Sequence, residues 1–267
     1  MRRVASDPVV GTTRREFTFR FLGLGAAAVL AGCRGKAAAD SVTGESGTNN
    51  ADSGGGDSGA ADSVGGDSGT GACSVTPDEI AGPYPDKTGM IDNSAYYRAD
   101  ITEGKTGLPL ALTFTVIDVA AGCIPVPGAI VEVWHCDKDG LYSEYAGEPT
   151  GPDQTGTTYL RGLQIADAAG KVTFTSIYPG WYPGRCTHIH MQVFRDASAA
   201  PAKTTQLCFP DATNTEVYTT ATQFYPGGDN TTKNADDQCF SDGYTLEQAA
   251  MSGDATTGMT AALTIAV

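Results

Sequence analysis

The chain has 267 residues, with 17 Lys and Arg against 31 Asp and Glu and a formal net charge of −14. So acidic a balance excludes nucleic acid as a partner, which needs a basic surface, and disfavours electrostatic docking on anionic lipid. Length alone admits one large domain or two small ones, but composition divides the chain into three unequal parts.

Residues 1–33 read as an export signal. Thr13-Arg14-Arg15-Glu16-Phe17 looks like a twin-arginine motif. The apolar run over residues 21–30 is shorter than the ~20 residues that a spanning helix needs. Leu30-Ala31-Gly32-Cys33 resembles a lipoprotein processing box in which Cys33 becomes the lipidated first residue. The expected location is therefore the cell envelope, with a lipid anchor as the only membrane contact; the alternative is an uncleaved anchor or a chance cysteine. Residues 34–72 repeat Asp-Ser at 52, 57, 62 and 67 among Gly and Ala. That stretch cannot bury enough apolar surface to fold and is expected to be a disordered tether.

Residues 73–267 are the segment able to build a core. Short β-rich runs at 110–118, 129–135, 158–165, 171–177, 187–194, 204–209 and 259–267 are separated by Gly, Pro and Asp turns. They predict an all-β domain, an antiparallel β-sandwich. Asp167-Ala168-Ala169-Gly170 joins two of the runs as a hairpin would, and residues 242–251 are the one stretch that could form a short helix.

Beyond Cys33, six cysteines remain: Cys73, Cys123, Cys136, Cys186, Cys208 and Cys239. An even number in an exported domain suggests disulfides, although six cysteines allow fifteen pairings. Cys208 and Cys239 bracket a long loop and are the expected pair. A cysteine metal site is disfavoured because no C-x-x-C occurs.

Two of the three histidines form His188-Ile189-His190, in a strand-like context. Residues i and i+2 of a strand share a face, about 7 Å apart, so both imidazoles can reach one metal ion. Taken alone, the pair reads equally as exposed or hydrogen-bonded strand histidines.

The surrounding residues favour the metal. The run Ala129-Ile130-Val131-Glu132-Val133-Trp134-His135-Cys136-Asp137-Lys138-Asp139-Gly140-Leu141-Tyr142 looks like the strand and turn of intradiol ring-cleavage dioxygenases. In that family a Trp stands eight residues before an iron-binding Tyr, as Trp134 does before Tyr142. Tyr178-Pro179-Gly180-Trp181-Tyr182-Pro183 resembles the second ligand segment, and Arg185-Cys186-Thr187-His188-Ile189-His190 its Arg-x-x-His-x-His. Thr205-Gln206 matches a pair ending in a pocket glutamine. Thr76-Pro77-Asp78-Glu79-Ile80-Ala81-Gly82-Pro83-Tyr84 resembles the opening of the protocatechuate dioxygenase-like branch. Cys186-Thr187 stands where many members carry Pro-Ala, and only three positions separate Tyr182 from Arg185, so the pocket wall differs from that of the best-known enzymes.

The resemblance implies the β-sandwich of that family and an Fe(III) held by Tyr142, Tyr182, His188 and His190. Ferric iron is a hard acid suited to anionic oxygen, and a phenol of pKa near 10 ligates at neutral pH because the cation stabilises its phenolate. Tyr182 is implied as the ligand that leaves when a catechol binds, Arg185 as the group that stabilises charge on the ring, and Gln206 as a donor near the oxygen-binding face. Tyr84 and Arg185 would line the substrate pocket. Tyr145, Tyr178 and His135 read as packing or structural residues. The implied reactants are a small aromatic diol and O2, with oligomeric state open. The competing reading is a non-catalytic β-sandwich lipoprotein that binds a metal, an aromatic ligand or a partner; a hydrolase or copper protein is a third.

Overall fold

A computed structural model describes residues 73–146 and 151–267. The expected signal, its Cys33 and the expected tether at 34–72 lie outside the described residues. Among the described residues, nine strands form two sheets. The first contains β1 (Pro109–Asp118), β2 (Ile124–Pro125), β5 (Lys171–Ile177), β8 (Ala250–Asp254) and β9 (Gly258–Ala266). Its order is β2-β1-β9-β8, with β5 also paired to β1. The second runs β4-β3-β6-β7, from β3 (Ile130–Trp134), β4 (Arg161–Ile165), β6 (His188–Phe194) and β7 (Lys203–Cys208). The expected sandwich is thus present. Its pairs are antiparallel except β1 with β9, which run parallel.

Alternation explains the first sheet. Leu110, Leu112, Phe114 and Val116 of β1 are buried while the intervening residues are not, and β5 and β9 repeat the pattern. These faces meet Val131, Val133, Ile189, Met191, Val193 and Leu207 from the second sheet in one core. Each such side chain contributes about 1.5–3 kcal/mol by leaving water. The second sheet is different, because β3 and β6 are buried on both faces. Its outer positions carry Glu132, Trp134, His188, His190 and Gln206, all buried. The amino-terminal segment is tied across this face by Glu79 N donating to the Thr204 carbonyl and by Gln206 Nε2 donating to the Ile80 carbonyl. Polar residues buried at alternate strand positions under a strap mark the site.

Three expectations are corrected. The 167–170 turn forms, with Asp167 Oδ1 accepting from Ala169 N and Lys171 N, but it carries the chain from one sheet to the other. Turn chemistry fixes the reversal, whereas strand pairing follows the apolar faces, and these place β4 on β3 and β5 on β1. No helix spans 242–251, where Gly243 sits at φ 109° and Ala250 and Met251 pair with β9. The helix is instead α1 (Asp211–Thr220), burying Asn214, Val217 and Tyr218.

The disulfide is Cys73–Cys123 and not Cys208–Cys239. Cys208 is a buried thiol packed with Cys186 and Phe240. It is held in register opposite His188, and its backbone pairs with Glu247 and Ala249. Cys239 is buried as a thiol in a 3-10 turn that Asp237 caps.

Candidate metal centre

The two expected tyrosines meet because two loops touch backbone to backbone. Asp137, just beyond β3, accepts hydrogen bonds at Oδ1 from Asp139 N and Leu141 N, closing the turn that delivers Tyr142. Gly180 N donates to the Asp137 carbonyl, and a Cβ on Gly180 would lie 2.6 Å from that oxygen. Gly140, at φ 81°, faces the Trp181 carbonyl, where a Cβ would come within 2.7 Å. Only glycine admits this approach. The 178–183 loop is braced from behind by α1, where Tyr218 Oη donates to the Pro179 carbonyl.

The register of the second sheet brings in the other groups. Arg161, Trp134, His190 and Gln206 occupy one row across β4, β3, β6 and β7. Trp134 stacks on His190 with ring centres 5.1 Å apart and an interplanar angle of 6°. Tyr84 stacks on Tyr142 at 4.5 Å.

All four expected ligands converge. His188 Nε2 lies 3.4 Å from Tyr142 Oη, 3.1 Å from Tyr182 Oη and 3.2 Å from His190 Nε2. Nδ1 of His188 is 2.7 Å from the Cys186 carbonyl, an acceptor only, so the neutral ring carries its proton there and turns the Nε2 lone pair inward. Ligating histidines are commonly fixed in this way by their other nitrogen. His190 Nδ1 has no partner in hydrogen-bond geometry, though the Ile80 carbonyl beside it acts on the ring. Burial pushes both imidazoles well below their ordinary pKa, helped by the Arg185 charge. Burial also raises both phenols, with Tyr182 adding to the effect on Tyr142.

This donor set fits a metal cation. Two phenol oxygens, a second imidazole and the Arg185 guanidinium crowd a single lone pair, which protons alone cannot satisfy. Donors about 2 Å from one first-row ion stand roughly 3 Å from each other, close to the spacing here. Among the described residues no group of three or more His, Cys, Asp or Glu could hold a metal. The mixed phenol–imidazole set is therefore the candidate centre.

Arg185 and Gln206 lie beside this cluster. Arg185 Nη2 donates to Gln206 Oε1, and Nη1 lies 3.4 Å from His188 Nε2. Tyr84 is in the site through its stack on Tyr142. His135 is outside it, with Nδ1 at the Cys136 carbonyl and Nε2 at Ser176 Oγ, and burial pushes its pKa down to about 4. Tyr145 and Tyr178 are packing residues whose hydroxyls donate to the Pro85 carbonyl and to Asn214 Oδ1.

Sequence reasoning missed two contributors. Gly82, at φ 71°, presses on His190, where a Cβ would be 2.7 Å from Cε1. Asp237 accepts from Arg185 Nε on both carboxylate oxygens, at 3.0 and 2.9 Å. Gly82 stood inside the segment that resembles the family's opening but with no role attached to it, and Asp237 had no local signal among many acidic loop residues.

The Dioxygenase family model matches residues 80–236. Hydroxyquinol 1,2-dioxygenase from Corynebacterium glutamicum is 33% identical over 113 residues, 35% of this chain and 34% of that protein. Protocatechuate 3,4-dioxygenase beta chain from Burkholderia cepacia is 29% identical over 144 residues, 50% of this chain and 58% of that one. The chain thus spans only about a third of the first relative and just over half of the second. Among solved structures, an intradiol ring-cleavage dioxygenase from Tetranychus urticae superposes with a TM-score of 0.63 at 26% identity, covering 73% of this chain and 94% of that one.

Proposed function

Since the chain belongs to the intradiol ring-cleavage dioxygenase family, we propose that it opens catechols between their two hydroxyl-bearing carbons. The iron(III) it needs would be held by Tyr142, Tyr182, His188 and His190. One carbon–carbon bond is broken, both atoms of O2 enter the product, and a muconate-type dicarboxylate results. The observation that carries this reading is the convergence of two phenols and a second imidazole within 3.1–3.4 Å of His188 Nε2.

Bound ferric iron would supply the Lewis acidity that makes a catecholate reactive toward O2. The protein supplies placement and charge. Tyr142, 4% exposed and stacked under Tyr84, would be the more firmly placed of the two phenols. Tyr182, half-buried beside exposed Pro183 and Gly184, would be the one that the diol displaces. Burial favours its neutral form, so its Oη could hold a proton given up by the diol. His188, held by the Cys186 carbonyl, and His190, held between Trp134 and Gly82, keep their lone pairs aimed inward. Arg185 stabilises negative charge on the ring electrostatically, and Gln206 keeps the guanidinium in place.

Oxygen uptake by the iron-loaded protein over a panel of catechols, with ring-opened products identified, tests the reaction. Tyr142→Phe should abolish bound iron or its red-brown ferric–tyrosinate absorption. Tyr182→Phe should alter the band and slow turnover. Normal activity in both variants would rule the assignment out, and a colourless protein holding another metal would favour the non-catalytic binder.

On the same reading the protein is exported through the twin-arginine-type signal in residues 1–33 and lipid-anchored at Cys33. The Cys73–Cys123 bridge supports this, because structural disulfides persist in oxidising compartments. Cys33→Ser should move the protein from the membrane to the soluble fraction.

A further inference from the structure

Asp237 lies one residue beyond the stretch that matches the family model, and its side chain is wholly buried. Its carboxylate accepts from three N–H donors. Arg185 Nε shares its one hydrogen between both oxygens, Cys186 N donates at 2.8 Å and Cys239 N at 2.9 Å. It therefore pins both the guanidinium and the backbone two residues ahead of His188. With Nε bound to Asp237 and Nη2 to Gln206, only the Nη1 end of Arg185 is directed at the metal ligands.

This contact also changes the charge of the site. Arg185 is 14% exposed and Asp237 not at all, so solvent screens the pair poorly. The other nearby cations are committed elsewhere. Arg161 donates from Nε and Nη2 to Ser143 Oγ and to the Ser143 and Tyr84 carbonyls and has the Glu144 carboxylate 3.6 Å away to offset its charge, although its buried Nη1 has no partner and its charge reaches His190. Lys105 pairs with Asp137. Lys87 sits over the Tyr145 ring, which the Tyr84 ring separates from Tyr142. Half-buried Glu79, on the strap beside Gln206, adds a carboxylate within the fields of Arg185, Asp237 and Asp242.

We propose that Asp237 is the positioning residue of Arg185 and the determinant of charge selectivity. By offsetting the guanidinium that faces the metal ligands, it leaves, among the described residues, no uncompensated cation beside them for a substrate carboxylate. The enzyme accordingly takes catechols that carry no carboxylate on the ring. This rests on the dioxygenase reading above and narrows its substrate class.

The test compares catechol with protocatechuate, its ring-carboxylated analogue, on iron-loaded wild type, Asp237→Asn and Asp237→Glu. Wild type should favour catechol in kcat/KM by about tenfold or more, the size of one poorly screened charge. Asp237→Asn should lower kcat for catechol and narrow the preference about tenfold, with the ferric–tyrosinate band unchanged, and Asp237→Glu should restore the preference. Equal use of the two substrates by wild type, or a preference untouched in Asp237→Asn, would overturn the proposal. Should Asp237→Asn fail to hold iron, phenol and 4-hydroxybenzoate binding to iron-loaded wild type decides, phenol having to bind more tightly. That comparison needs no turnover, so a wild type that opens no catechol sinks the dioxygenase reading while the charge rule is still judged.

Discussion

At the scale of single residues, the four side chains that converge on His188 Nε2 were legible through the family resemblance, and their supports were not. The H-x-H pair alone reads equally as ordinary strand histidines, and it was the resemblance of the segments around Trp134, Tyr182 and Arg185 that singled the tyrosines out with it. What holds them came from distant chain, as Gly82 does for His190. Gly82→Ala should cost at least about 1 kcal/mol for the left-handed backbone alone. It also drives a methyl group to 2.7 Å from His190 Cε1, so bound iron per chain should fall as well. Gly89 is the control: at φ 76° it carries the same backbone strain with nothing within 4 Å of a Cβ. Metal analysis and urea unfolding of the two variants should separate strain, which both share, from iron loss, which Gly82→Ala alone shows. Equal iron content would mean that Gly82 does not seat the imidazole.

Among the elements, strands that alternate were read to within a residue or two. β1, β5 and β9 pack one face on the core and show it, whereas β3 is buried on both faces and shows it only as a continuous apolar run broken by Glu132. Helix α1 was hidden because its buried stripe includes Asn214, which is paired with Tyr178, among β-branched threonines. Disulfide pairing was beyond reach, since spacing carries no information on which cysteines a fold brings together. The observed bridge closes a loop of 50 residues and leashes the strap that crosses the metal centre to the β1–β2 turn. In the chain-entropy account such a loop contributes up to about 4 kcal/mol. Cys73→Ser, or a reductant, should therefore lower the urea midpoint. Iron binding in dilute buffer should survive, because Thr76 is independently bonded to Ala266 and Glu79 to Thr204. An unchanged midpoint on reduction would mean that the bridge is absent in solution.

For the molecule as a whole, buried ionisable groups of opposite kinds set the pH response. Burial raises the carboxyls of Glu79 and Glu132 to about 7 and that of Glu247 to about 8, like charges such as Glu79 and Asp242 adding to the last. A carboxyl whose folded pKa is raised gives its full stabilisation below its unfolded value of 4.5 and loses it as pH rises through the folded value. The three histidines act in the other direction. Burial lowers them, so in the iron-free protein their contribution is present above 6.5 and is lost as pH falls. Stability of the iron-free chain should thus hold up to about pH 6.5, where the two sets offset each other, and decline from there to about pH 8. Glu247 is the cleanest probe. Its side chain is fully buried, Oε1 accepts from Thr205 Oγ1, and Oε2 has no partner. Glu247→Gln keeps the shape and the Thr205 contact while removing the proton that must be lost. Its melting temperature should track wild type near pH 4, exceed it increasingly from about pH 5 to 8 and keep a constant lead above that, because over this window only the wild type holds a proton in the fold that the unfolded chain has lost. The histidine terms cancel in the difference between the two proteins, so parallel curves would mean that Glu247 does not remain protonated inside the fold.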